Sequence, residues 1–226
     1  MAKIDVKIPA TQIQFYNDAT KPQNKIVLDR IYAQYKDPID RCEELTHVPK
    51  EIIISFIFIE SGGNPTVVSG AGAVGLMQLI PSSASDILVI ENTKGRLSQP
   101  EKDILAANIG SRFTDGILKM RYLGDQVSVA GVKSATWITK ADLMKPSLNM
   151  LIGCLYLGIL IDESTKDNKV DLHKVVIRYN KGYFADNRGA KIPATVEDAL
   201  AQTNTESKNY ILKLMGKNGT LDTISV

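Results

Sequence analysis

The feature that most constrains this chain is an apolar run that ends in a carboxylate and passes directly into glycine-rich sequence. Residues 52–59, I-I-I-S-F-I-F-I, are almost wholly apolar; Glu60 closes them, and glycines follow at positions 62, 63, 70, 72 and 75. So apolar a segment belongs in a core, because moving its side chains out of water is the main favourable term in folding. The glycines exclude a long regular helix after it, since glycine is costly in a helix interior and admits backbone angles that other residues resist. A carboxyl group against apolar side chains loses hydration of its charged form, so its pKa rises, and an acid still protonated near neutrality can donate a proton. The run itself has two readings. Pro49 suits a first helical turn and Ile52, Phe56 and Ile59 recur at i, i+4 and i+7, while the β-branched and aromatic bias is that of a buried strand.

Composition narrows the rest. With 226 residues, 44% of them hydrophobic, the chain can bury one fairly large core, with or without additions. A net charge of +2 with interspersed signs does not suit a nucleic acid as partner. Cys42 and Cys154 are the only cysteines and read as isolated packing thiols. His47 and His173 lack neighbours at ligand spacing, so neither metal nor organic cofactor is expected. The first residues, M-A-K-I-D-V-K-I-P-A-T-Q, lack the apolar stretch of a secretory signal. Residues 150–161 form the longest apolar block, short of the roughly 20 residues a membrane span needs, and read as a buried core helix. No membrane insertion is expected.

Four motifs recur along the chain: E-S at Glu60, followed by S-x-x-G-A-x-G-L-M-Q from Ser69 to Gln78 and I-P at Pro81; P-S-L-N-M-L-I-G-C-L-Y-L from Pro146; R-Y-N-K-G from Arg178; and E-S-K-N-Y-I from Glu206. Together they resemble the soluble lytic transglycosylase family, whose fold is goose-type-lysozyme-like. The resemblance covers about residues 50–90 and 146–215. It implies an all-α domain (α+β lysozyme-like, with at most a very small sheet) with a cleft, in which residues 52–59 are a buried helix carrying the catalytic acid at its C-terminal end.

The activity so implied is cleavage of the β-1,4 bond between N-acetylmuramic acid and N-acetylglucosamine in the glycan strands of peptidoglycan. Glu60 would protonate the bridging oxygen and then act as base toward the muramic C6 hydroxyl, leaving a 1,6-anhydro product; one group whose pKa lies near working pH can serve both roles. Ordinary glycosidases use a second carboxylate about 5 to 10 Å away, and neither Asp86 nor Glu91 sits where the family pattern would call for one. A lysozyme-type hydrolase on the same fold, or a non-catalytic wall-binding or virion structural protein, are the rival readings.

The resemblance also assigns substrate contacts, each with a plainer alternative. Gln78 would hydrogen-bond sugar substituents. Ser69 matches the family's cleft serine, or is an ordinary turn serine. Met77 would give a backbone contact or an apolar wall, or simply pack in the core. Tyr179 and Asn180 match the tyrosine and asparagine of the family's A-Y-N-x-G, although Leu172, Val175, Val176 and Tyr179 share a helical face on which Tyr179 would be a core aromatic; Arg178 departs from the family's small residue. Glu206 would contact the sugar or its peptide, or would close a capping box with Thr203. Asn149, Gly153 and Tyr156 read as structural.

The remaining expectations concern organisation. Residues 1–24 read as an arm, 25–216 as the domain with an insertion at about 93–145, and 217–226 as a tail. Helices are expected at 24–32 and 38–45, from Pro81 to about 90, through 98–123, and over 147–163, 171–181 and 206–216, with a loop at 183–195. The absent signal and lack of wall-binding repeats suggest a virion-packaged enzyme, one released from a host cytoplasm, or one exported by a secretion apparatus, with virion or secretion-apparatus proteins as partners.

Overall fold

The computed structural model describes residues 11–123, 126–129, 132–133, 137–182 and 192–224. The architecture is all-α, with three small sheets of two or three short strands among the described residues. It falls into two compact units, one drawn from Met1–Gln34, Val48–Ile59 and Leu157–Val226, the other from Tyr35–His47 and Glu60–Tyr156.

Strand β1 (Thr11–Gln14) is followed by α1 (Lys21–Thr46), in which the two helices expected at 24–32 and 38–45 run together. They meet at Tyr35, whose φ of −120° and ψ of 25° are not helical. Pro38 accounts for the kink, because its ring crowds the carbonyl four residues earlier and it has no amide to continue the ladder. Helix α2 (Lys50–Ser61) settles the ambiguity of the apolar run: six successive residues, Ile52 to Ile57, are buried, so the helix is apolar all round and lies in a core.

Helix α3 (Pro81–Thr93) starts with proline in its first turn, and α4 (Gln99–Ile109) begins in a full capping box between Ser98 and Glu101. The single helix expected through residue 123 is not formed. It ends at Gly110, where φ is 55°, and continues as a π turn at Arg112–Gly116, a 3-10 turn at Ile117–Lys119 and β2 (Arg121–Leu123). Phe113, Ile117 and Met120 are nevertheless buried, so their spacing reported burial and not an α-helix. Gly116 lies flat against the indole of Trp137, where a β-carbon would fall 2.7 Å from the ring. Strands β2, β3 (Gln126–Val129) and β4 (Val132–Lys133) form an antiparallel meander, and α5 (Lys140–Leu143) follows in a second capping box.

Helix α6 (Pro146–Glu163) is long and apolar enough to cross a membrane by length and composition, but 78% of it is buried within the fold, as in a core helix. A hairpin of β5 (Thr165–Lys166) and β6 (Lys169–Val170) leads to α7 (Leu172–Lys181), α8 (Val196–Gln202), α9 (Thr205–Met215), β7 (Gly216–Lys217) and α10 (Thr220–Thr223). Most of the loop expected at 183–195 lies outside the described residues. Within the first unit β1 pairs in parallel with β7; Lys21 pairs with Asp222 at 2.9 Å, and the Asn218 amide donates to Asp18 at 2.7 Å. Residues 11–24 and 216–222 are thus tied together.

Candidate active site

Glu60 is the penultimate residue of α2 and is half-buried. The residue after it anchors the helix end: the Ser61 hydroxyl donates to the Leu76 carbonyl at 2.8 Å and accepts from the Gly63 amide at 3.2 Å. From α1, the Tyr35 hydroxyl donates to the Gly63 carbonyl at 3.0 Å. Gly62 and Gly63 leave the helix with φ of 61° and 85°, the left-handed region in which glycine carries no side-chain penalty.

The segment from Val67 to Leu79 is held almost wholly by its own backbone. Val74 bridges both Val68 and Leu79, and the Gly75 amide donates to Val67 at 2.9 Å. Ser69 closes a tight turn: its hydroxyl accepts from the Ala73 amide at 3.0 Å and its amide donates to the Ala73 carbonyl. The turn reading of Ser69 therefore describes its backbone, while its hydroxyl hydrogen has no acceptor among the described residues. Gln78 has φ of 45°, sparsely populated for a residue with a side chain. Its amide nitrogen donates to the Gly75 carbonyl at 3.0 Å and the Val67 carbonyl at 3.3 Å, which fixes the side chain and leaves the amide oxygen as the end that can meet a ligand.

Met77 has no exposed surface and its thioether lies against Gly153. Its side chain packs in the core and offers no open wall to a ligand, because Gly153 makes room for it. Its amide donates to the Asn149 side chain at 2.8 Å. Two carboxylates weighed as second acids belong to the same unit. Glu91 is buried and pairs with Arg96 at 2.8 Å, whereas burial pushes the half-buried Asp86 up to about 6. Cys42 and Cys154, read as isolated, are both buried and meet in this unit; burial, followed by the neighbouring Cys42, raises the Cys154 thiol well above its ordinary value, so Cys154 is a packing group.

The downstream motifs lie in the other unit. Tyr179 on α7 is buried, and its ring meets Phe56 edge-on with centroids 4.8 Å apart; Tyr210 on α9 meets the same phenyl at 5.5 Å. Asn180 accepts from the Ser207 hydroxyl at 3.1 Å. The capping box expected between Thr203 and Glu206 is not formed. Asn204 is the N-cap of α9 and accepts from the Ser207 amide at 2.9 Å, while the Thr203 hydroxyl donates back to Ala199 in α8 at 2.6 Å. Glu206 therefore stands exposed in the first turn, not engaged as a cap. Arg178 donates to the Ser164 hydroxyl at 2.6 Å and the Glu163 carbonyl at 3.3 Å, so this departure from the motif serves the turn after α6.

Glu60, Ser69, Met77 and Gln78 thus belong to one compact unit, and Tyr179, Asn180 and Glu206 to the other. Two contributors were not singled out in the sequence, Ser61 as the tie from the acid's helix to the G-L-M-Q segment and Tyr35 as a support of the helix exit, while Asn149, read as structural, is the acceptor for the Met77 amide. The motif E-S carried the signal for Ser61.

Residues 37–110 match the family model of the Transglycosylase SLT domain. The chain is 32% identical over 166 residues to the endo-type membrane-bound lytic murein transglycosylase A of Klebsiella pneumoniae, covering 70% of this chain and 58% of that protein. It is 43% identical over 174 residues to the protein of the same name from Enterobacter sp. (strain 638), covering 76% and 65% respectively. To the membrane-bound lytic murein transglycosylase E of Buchnera aphidicola it is 42% identical over 96 residues, 39% of this chain and 42% of the relative. The chain spans about half the length of the curated relatives it matches, from 42% to 65% for these three. These matches and the all-α, lysozyme-like architecture agree with the motif reading and support the soluble lytic transglycosylase (SLT) family, whose domain residues 37–110 match.

Proposed function

We propose that this chain is a peptidoglycan lytic transglycosylase in which Glu60 serves as acid and then as base. Glu60 gives its proton to the oxygen bridging N-acetylmuramic acid and N-acetylglucosamine as the bond from C1 of the muramic residue to that oxygen breaks. The C6 hydroxyl oxygen of the same residue then bonds to C1 and returns its proton to Glu60. The outcome is a 1,6-anhydro end with no water consumed. The observation that carries this reading is the Ser61 hydrogen bond to Leu76, which ties the helix end bearing the acid to the G-L-M-Q segment. Of the two other carboxylates weighed, Glu91 is committed to Arg96, which gives the internal acceptor further support.

In this reading the Gln78 amide oxygen accepts from a sugar N–H or hydroxyl, and the Ser69 hydroxyl donates to the glycan. Tyr179, Asn180 and Glu206 supply further contacts, with Glu206 supported by its exposure. Met77 supports the segment from beneath. For location, the relatives' names favour a membrane-associated wall enzyme over delivery by a virion or a secretion apparatus.

Mass spectrometry of material released from purified sacculi tests the proposal. Muropeptides lighter by one water than lysozyme products are expected. Reducing termini would move the assignment to a hydrolase, and binding to sacculi without release would leave a wall-binding protein.

A further inference from the structure

Asn149 is fully buried on α6, yet it touches the segment that presents Gln78 at two points. Its side-chain oxygen accepts from the Met77 amide at 2.8 Å, and its side-chain nitrogen donates to the Val74 carbonyl at 2.9 Å and to the Leu143 carbonyl at 2.9 Å. Only a primary amide offers an acceptor and two donors in one plane, so neither Asp nor Leu reproduces the set. The surroundings are built to this arrangement. Gly75, at φ of 82°, would place a β-carbon 2.5 Å from the Asn149 nitrogen and 2.3 Å from the Leu143 carbonyl oxygen; one helical turn on, a β-carbon at Gly153 would fall 2.3 Å from the Met77 sulfur. Asn149 and Gly153 thus form one face of α6 that receives residues 74–77 from below.

We propose that Asn149 is the positioning residue for Gln78, acting on the glycan only through the backbone of residues 74–77. The proposal rests on the reading of the chain as a glycan-cleaving enzyme. The mechanical link is short. Gln78 holds its unusual φ because its amide donates to Gly75 at 3.2 Å and its side chain to Gly75 and Val67, and Gly75 is in turn set by the pocket at Asn149. Releasing the Met77 amide, and leaving the Val74 carbonyl with the Leu79 amide as its donor, lets that segment relax toward ordinary backbone angles, and the Gln78 amide oxygen moves with it.

A double-mutant cycle on turnover of sacculi-derived glycan tests this. Asn149→Ala and Gln78→Ala are each expected to raise KM on the order of tenfold, and Asn149→Ala to add little in the Gln78→Ala background, because coupled residues are not additive. A merely structural asparagine would lower the unfolding midpoint and multiply independently with Gln78→Ala, and that result overturns the proposal. Should Asn149→Ala fail to fold, Asn149→Asp, which keeps the acceptor for Met77, takes its place in the same cycle. Amide hydrogen exchange on the free protein separates this claim from the enzymatic one. Faster exchange confined to residues 74–78 in the Asn149 variant is expected whatever the wild type does to peptidoglycan, and unchanged exchange there overturns the positioning role. A wild type that releases nothing from sacculi defeats the functional reading alone.

Discussion

Around Gln78 the motif residues are held by directional bonds to backbone, whereas around Tyr179 they are held by rings. In the first region Ser61, Ser69, Gln78 and Asn149 each bond to main-chain amides or carbonyls. In the second, Tyr179 and Tyr210 meet one phenyl ring, Phe56, which has no exposed surface. The physical difference matters because a hydrogen bond adds only about 0.5–1.5 kcal/mol net to stability yet fixes an angle, while ring burial contributes more energy and less orientation. Polar substitutions in the first region should therefore lower activity more than stability, and the reverse should hold for the ring cluster.

The largest effect is expected from Glu60→Gln, which keeps shape and removes the transferable proton. Release of muropeptides should fall by roughly 10² to 10⁴, with the unfolding midpoint unchanged or higher; a folded variant that still lyses walls would remove the first half of the contrast. Next comes Phe56→Ala, which takes away the ring on which both tyrosines rest. Denaturant titration should show a loss of about 3–5 kcal/mol, and a loss below about 1 kcal/mol would mean that the rings do not hold that region.

Tyr179→Phe sharpens the comparison, because it keeps the edge-on contact with Phe56 and removes only the hydroxyl. If Tyr179 serves the glycan, turnover should drop while stability changes by no more than about 0.5–1.5 kcal/mol; unchanged turnover with a lowered midpoint would assign Tyr179 to packing alone. The smallest effect concerns Asp86. Its folded pKa of about 6 lies above the ordinary 3.8, so the fold holds the proton more tightly than the unfolded chain does, and that contribution is full below 3.8 and lost as pH rises through 6. Asp86→Asn should raise the midpoint relative to wild type above pH 6 and not below pH 3.8, and thermal melts across that range would expose any other dependence.

What the sequence made legible follows the same division. Proline, glycine and motif spacing located α2, α3, α6, α7 and α9 because those signals are local. Periodicity left residues 52–59 undecided between helix and strand, since a helix buried on all sides shows no polar face; only the motif around Glu60 distinguished them. Residues 110–123 misled for a related reason: Phe113, Ile117 and Met120 are buried at helical spacing, but Gly110 and the flat packing of Trp137 on Gly116 bend the backbone away from an α-helix. The cap of α9 was displaced by one residue because T-N-T-E-S offers two good capping side chains in succession. Asn149 lies 72 positions from Met77, and the meeting of Cys42 with Cys154 is equally non-local, so no spacing rule reaches either.

The parallel pairing of Thr11–Gln14 with Gly216–Lys217 has a consequence for the order in which this molecule is made. Its supporting ion pair joins residues 201 positions apart. During synthesis β1 has no partner strand until residues 216–217 have been translated, so this latch closes later than the contacts formed between the two strands in sequence. Contacts of such separation carry a large loop-closure cost that only an already folded remainder offsets. The latch thus waits on residue 216: a chain interrupted before it leaves Ile13, half exposed in the fold, on an unpaired strand edge open to another chain.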